Sequence, residues 1–117
     1  MTAIVLPPQA SGGRSIHLRQ GEKDSFDWPI ADVAVVLELA VDRTCRRAAI
    51  VLGAAAPVPY RARAAEAALT GKPAQEQTAR DAAHAALAGA APLSKNAYKL
   101  PIFETLVRRA ILAAARA

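Results

Sequence analysis

The chain predicts an α+β domain: an antiparallel three- or four-stranded sheet followed by three helices packed on one of its faces. Three observations carry this prediction. Apolar residues alternate with period two around residues 15–19, 33–41 and 45–52, alanine-rich stretches of helical spacing fill the chain from residue 61 onward, and glycine and proline punctuate the joins. Strands first and helices afterwards place one helix layer over one sheet face.

Residues 2–7, TAIVLP, suit a short strand cut off by Pro7 and Pro8, and QASGG at 9–13 suits a flexible connector. Residues 15–19 set Ile16 and Leu18 against His17 and Arg19, the pattern of a half-buried strand, and GEKDS follows as a polar turn. Beyond FDWPI at 26–30, residues 33–41 present Val33, Val35, Leu37, Leu39 and Val41 on one face. Asp42, Arg43 and Thr44 form a hairpin connection to residues 45–52, where Ala48, Ile50 and Leu52 share a face opposite Arg47, Ala49 and Val51. That strand ends at Gly53, where the chain can bend without a Cβ, and Pro57 and Pro59 force an extended run.

The first helix is expected over residues 61–69, rich in Ala and straight side chains, with Gly71 taking left-handed geometry after it and Pro73 barring continuation. A second, over 74–88 with Gly89 as its stop, has a face of Thr78, Ala82, Ala85, Ala86 and Gly89, small enough for close approach by neighbours. In the third, Phe103, Leu106, Val107, Ala110, Ile111 and Ala114 recur at helical spacing. Pro101 suits its first turn, and Asn96 or Ser94 are candidate caps.

A length of 117 residues predicts one domain, and 53% hydrophobic content with only 4% aromatic predicts close helix packing rather than a large pocket. The single cysteine, Cys45, excludes an internal disulfide, and His17 and His84 lie too far apart in sequence to write a metal-ligand spacing. A reducing, cytoplasmic setting is the expectation. The short apolar run at 3–6 meets Pro7 at once, which fits neither a signal peptide nor a spanning segment. Net charge is +5, with six Lys/Arg against six Asp/Glu in residues 1–60 and nine against four in residues 61–117. These cations are scattered and lack interleaved aromatics, which argues against nucleic-acid binding and for a solvated or partner-facing surface.

Three stretches also carry a resemblance: SFDWPIADVAVVLEL, RRAAIVLGAAAPVPYRARAAEAALTGKP and GAAPLSKNAYKLPIFETLVRRAIL. In this order and spacing they resemble the C-terminal domain of the FAD-binding (medium) subunit of molybdenum hydroxylases, the family of carbon monoxide dehydrogenase, xanthine dehydrogenase and aldehyde oxidoreductase. The middle stretch is the specific one, and NAYKLP most resembles the aldehyde oxidoreductase branch. TAIVLP looks similar to the strand that closes the preceding FAD domain, so residues 1–13 are expected to end that domain and residues 14–117 to form the family's C-terminal domain. The resemblance implies FAD in the complete subunit and none in this chain alone. It also implies partners: a FAD-binding domain, an iron–sulfur subunit and a molybdenum subunit, with electrons passing from iron–sulfur clusters through FAD to an acceptor. The family's glycine-rich flavin-cradling loops are absent here, since Gly12 and Gly13 lack a strand-to-helix context.

By the same resemblance, Arg19 stands where the family has a strand lysine reaching toward the flavin, with a different reach and geometry. Asp27 and Trp28 lie in a turn near the family's flavin edge. The residues by themselves predict less: a solvated Arg19, Asp27 as a turn or cap, and a packed Trp28. Cys45 lies beside Arg46 and Arg47, which would favour thiolate, but no partner is spaced to make it a nucleophile, and a half-buried hairpin cysteine is expected. His84 and His17 are expected as exposed or partly packed residues, and Asn96, Tyr98 and Lys99 as helix-entry and packing residues. No catalytic constellation can be assembled, so the chain is not expected to be catalytic alone. Two functions follow: a domain that helps enclose a flavin and dock subunits, or a freestanding interaction or dimerisation module of the same fold.

Overall fold

The computed structural model describes residues 2–9, 12–22 and 28–117. Four strands, β1 (Gly13–Gln20), β2 (Ala31–Leu39), β3 (Cys45–Gly53) and β4 (Tyr60–Arg61), form one antiparallel sheet in the order β1-β2-β3-β4. Three helices follow: α1 (Arg63–Leu69), α2 (Glu76–Ala86) and α3 (Lys99–Arg116). The predicted class is the observed one.

The period-two alternation deals the aliphatic side chains to one face. Val33, Val35 and Leu37 of β2 are buried, and Ala48, Ile50 and Leu52 of β3 lie beside them through the pairs Leu37–Ala48, Val35–Ile50 and Val33–Leu52. Ile16 and Leu18 extend this face onto β1, opposite Val35 and Val33. One irregularity adds a member. Glu38 pairs with Arg47 and Leu39 with Cys45, so Arg46 is an extra residue, and the bulge turns Cys45 into the core although it stands an odd number of residues from Ala48.

The turn between β2 and β3 closes at Arg43, whose φ of 69° is left-handed, and Asp42 Oδ1 accepts a hydrogen bond from the Thr44 backbone N–H at 3.1 Å. The strand is shorter than the alternation predicts: it ends at Leu39, and Val41 falls in this turn and is exposed. Residues 2–9 adopt no regular secondary structure and leave Ile4, Val5 and Leu6 exposed. A strand there needs a neighbouring edge to pair with.

Helix α3 lies over β1 and β2, α1 lies over β3, and α2 packs against both helices. The predicted face of α3 is buried, joined by Ala115. The buried face of α2 is Thr78, Ala79, Ala82, Ala83 and Ala86, rotated from the prediction: Ala85 is only partly buried and Gly89 lies beyond the helix end, exposed. Its start is fixed by a reciprocal pair, Thr78 Oγ1 accepting from the Gln75 N–H while the Gln75 side chain accepts from the Thr78 N–H. Neither Asn96 nor Ser94 caps α3. Its N-cap is Tyr98, with no side-chain hydrogen bond, and Asn96 contributes its backbone carbonyl to the Lys99 N–H instead. At the other end, Arg14 and Arg43 donate to the carbonyl of Ala115, and Arg14 also to that of Ala117, which matches guanidinium charge to the negative helix terminus.

Sheet and helix layer meet at Glu66. Residue 61 belongs to β4 rather than to the first helix, and α1 starts two residues later than its composition predicts. Beyond Arg61 the chain leaves the sheet, and the Ile50 N–H would have no strand partner. Glu66 Oε1 takes that hydrogen bond at 2.9 Å and also accepts from Arg61 Nε at 2.7 Å. Burial, the largest single influence, pushes the Glu66 carboxyl up, but the Arg61 hydrogen bond, the Ile50 N–H and the charges of Arg61 and Arg63 together hold it below its ordinary 4.5. Gly71 takes the expected left-handed geometry at φ 83°, and its N–H and that of Cys45 close a short backbone link to β3 through Cys45 and Lys72.

Two outcomes follow. Leu37→Ala is expected to cost about 2–5 kcal/mol in urea unfolding, whereas Val36→Ala, on the uncovered face, is expected to stay within about 1 kcal/mol of the parent. Because the Glu66 carboxyl ionises more readily folded than unfolded, its stabilisation is complete above the ordinary carboxylate range and is lost as pH falls through the folded value. Glu66→Ala is expected to lose about 1–3 kcal/mol at neutral pH by orphaning the Ile50 N–H. The difference from the parent should narrow in acid, as read from unfolding midpoints measured down the pH scale.

Candidate functional site

The face of the sheet opposite the helices is built from the alternate residues of the same strands. Across its middle run Ser15, Val36 and Ala49, then His17, Ala34 and Val51, which are register partners strand by strand. Val36 is 42% exposed, and no element among the described residues covers this face. On β2 and β3 its centre is therefore small and apolar, with Ser15 and His17 beside it on β1. Its ends are charged: Glu38 and Arg47 lie 3.7 Å apart at one end, and Arg19, Asp32 and Gly53 form the row at the other.

That second row holds the predicted site residue Arg19. It is exposed, and its register partner is Asp32. Asp32 Oδ1 also lies 3.7 Å from His17 Nε2. Gly53 completes the row for a reason the sequence did not suggest. It keeps strand geometry, and the left-handed bend falls on Ala54 at φ 60°. What Gly53 supplies is room: a Cβ there would meet Asp32 Oδ1 at 2.0 Å and Cγ at 2.6 Å, so the Asp32 carboxylate occupies the space that the missing side chain leaves.

Trp28 precedes β2 at this end of the sheet and is 95% exposed. The expected packed tryptophan is not what the structure shows, because Trp28 stands before the first β2 residue, outside the layer the helices cover. Asp27 lies outside the described residues. Cys45 is fully buried rather than half-buried, and burial raises its thiol above the ordinary 9.0 despite the adjacent arginines. Arg46 and Arg47 point to the exposed side, which is why their charge does not act on the sulfur. His84 is exposed on α2, with Nδ1 4.0 Å from Glu104 Oε1. Among the described residues no group of His, Cys, Asp and Glu could hold a metal ion, and no helix is long and apolar enough to cross a membrane.

On the helix side, past the end of β3, a cavity of about 290 Å³ opens between Leu52, Tyr60, Leu87, Leu100 and Phe103. The composition argued against a large pocket, and this one is modest. Alanines at 54–56, 86, 90 and 91 line it, and their side chains are too short to fill it.

Residues 16–114 match the family model of the CO dehydrogenase flavoprotein C-terminal domain. The chain belongs to this family. It is the family that the three sequence stretches resemble, the C-terminal domain of the flavoprotein subunit of molybdenum hydroxylases. Solved structures agree with the assignment. A carbon monoxide dehydrogenase from Hydrogenophaga pseudoflava that lacks the Mo-pyranopterin moiety of its molybdenum cofactor superposes with a TM-score of 0.83 at 34% identity, over 93% of this chain and 39% of that one. Reconstituted CO dehydrogenase from Oligotropha carboxidovorans gives 0.84 at 26% identity, over 95% and 40%. Quinoline 2-oxidoreductase from Pseudomonas putida 86 gives 0.81 at 26% identity, over 91% and 38%. The search of curated proteins found no match. This chain thus spans about two fifths of the length of the solved chains it matches.

The Gly53–Asp32 contact has a direct check. Gly53→Ala is expected to cost about 1–3 kcal/mol by overpacking against the carboxylate. In the Asp32→Ala background the same change is expected to be neutral or stabilising, so that urea unfolding of the four proteins shows a coupling of about the single-variant cost.

Proposed function

We propose that this domain docks through its uncovered sheet face onto a flavin-binding domain and helps to enclose the FAD of a molybdenum hydroxylase. In such a complex electrons pass from iron–sulfur clusters through FAD to an acceptor. The observation that carries the proposal is the uncovered face itself, small and apolar on β2 and β3 with Arg19 and Asp32 at one end and His17 in the adjoining row, in a chain two fifths the length of its matched relatives. A flat strip of Ala34, Val36, Ala49 and Val51 suits the close approach of another folded surface, with the charged rows as a polar rim.

The residues fit FAD only as an edge. The room over Gly53 is filled by Asp32, and the helix-side cavity lies on the other face of the sheet, so the described residues offer no cradle for the cofactor's phosphates. When bound, FAD supplies the redox chemistry. The side chain on this domain that would meet it is Arg19, whose guanidinium stays charged and presents a planar fork. Trp28, exposed at the same end, supplies a ring to bury on docking, and the segment ahead of Gly13, where β1 begins, completes the preceding domain. On this proposal the chain is not catalytic alone, and its partners are the flavin domain and, through it, the iron–sulfur and molybdenum subunits.

The test uses the flavin-binding portion of the Hydrogenophaga pseudoflava medium subunit, freed of its own C-terminal domain. The chain alone is expected to elute as a colourless monomer and to co-elute with that portion when mixed. Val36→Glu is expected to abolish co-elution while leaving far-UV circular dichroism unchanged, and Arg109→Glu on the helix layer to leave it intact. A stable dimer of the chain alone, broken by Val36→Glu, would instead assign the face to self-association.

A further inference from the structure

Two segments wall the helix-side cavity, 54–60 after β3 and 86–100 from the end of α2 to the first turn of α3. Among residues 44–117 the exposed large apolar side chains are Val58, Tyr60, Leu93 and Tyr98, and every one of them belongs to these two segments. Exposed apolar residues scattered singly are ordinary, but their gathering around one opening marks a surface that another molecule covers. Both tyrosines of the chain are among them, and tyrosine brings an apolar ring with a polar tip to an interface. The charge here has one sign. Lys99 lines the cavity and Lys95 precedes it in the same segment, while neither segment contains an acidic residue. Glu104, the next acid along α3, lies toward His84 instead, 4.0 Å from its Nδ1. Lys99 Nζ donates to the Ala54 carbonyl at 3.0 Å, which ties the two segments together, and an ammonium has further N–H groups to offer.

We propose that this surface docks an extended segment of a partner protein in which one large apolar side chain is flanked by acidic residues. The chamber, about 290 Å³, takes the anchor among Leu52, Leu100 and Phe103, and the acidic neighbours meet Lys95 and Lys99. A molecule confined to the chamber would leave Val58, Leu93 and Tyr98 in water, since none of them lines it, whereas a polypeptide continues past its anchor and covers them. Leu52 projects to the helix side and Gly53 to the open face, so the site is independent of docking through that face.

The probes are the peptides acetyl-EEWEE-amide and acetyl-KKWKK-amide, which carry one anchor between opposite charges, and indoleacetate, which has the ring and a carboxylate without a chain. Titrated at low salt into the isotope-labelled chain, the acidic peptide is expected to give saturable amide shifts at Ala54, Tyr60, Ala90 and Lys99. It is also expected to bind at least about tenfold more tightly than the basic peptide or indoleacetate. Lys95→Glu, at an exposed position, is expected to weaken the acidic peptide at least about threefold. Ala90→Trp, at an exposed wall position, is expected to abolish its binding with the β2 amide shifts unmoved, and Val36→Glu on the open face to leave binding intact. No saturable shift up to the peptide's solubility, equal affinity for the two peptides, an affinity unchanged by Lys95→Glu, binding that survives Ala90→Trp or binding lost with Val36→Glu would each overturn the proposal. Indoleacetate binding as tightly as the acidic peptide would overturn it too, and would assign the chamber to a small carboxylate instead.

Discussion

The Glu66 carboxylate is the point on which the two layers depend. A four-stranded sheet whose last strand is two residues long leaves the buried Ile50 N–H of β3 without a strand partner, and a buried N–H must find one. Glu66 reaches from α1 to the Ile50 N–H while Arg61, at the end of β4, balances its charge. One side chain therefore ends the sheet, sets the first helix against it and pins the direction in which the chain leaves. Its surroundings keep it ionised despite burial, which is the condition for accepting from both donors at once.

With the first helix placed, alanine decides how the others pack. The α2 face of Ala79, Ala82, Ala83 and Ala86 lets α1 and α3 approach closely, and the large side chains of the helix layer come mostly from α3. Where the alanines run past the last large residue, at the end of α2 and after β3, the layers no longer meet, and the cavity beside Asn96 is the consequence. All of this lies on one side of the sheet. Between its charged ends the other side has Ser15 and His17 on β1 and the apolar Ala34, Val36, Ala49 and Val51 on β2 and β3, which is too little apolar surface to recruit a helix from this chain and enough to receive another domain.

Much of the architecture was legible because it rests on periodicity. Strands with Val33, Val35 and Leu37 or Ala48, Ile50 and Leu52 on one face leave a single way to bury them, and the α3 pattern from Phe103 to Ala114 is unambiguous. Boundaries were less legible where a local rule met a tertiary one. Arg61 suits a helix by composition but is taken by β4, and Val41 continues an alternation that the Arg43 turn has already ended. The site was less legible still. Arg19 could be assigned to the open face by alternation, but its row partners Asp32 and Gly53 lie 13 and 34 positions along the chain and meet only through strand register. Asn96 offered a capping signal that its backbone, rather than its side chain, fulfilled.

The sequence by itself determined the family, the α+β order and which strand residues face the helices, because motif spacing and side-chain alternation are local properties that survive without knowledge of neighbours. Only the tertiary structure decided what the special residues do. Gly53 marks the end of a strand in sequence, yet its role is to admit the Asp32 carboxylate from the adjacent strand, and the bend expected there falls on Ala54. Cys45 gains its burial from a bulge and Trp28 its exposure from standing beyond the covered layer. In each case the deciding quantity is the distance to atoms brought close by folding, which no pattern along the chain contains.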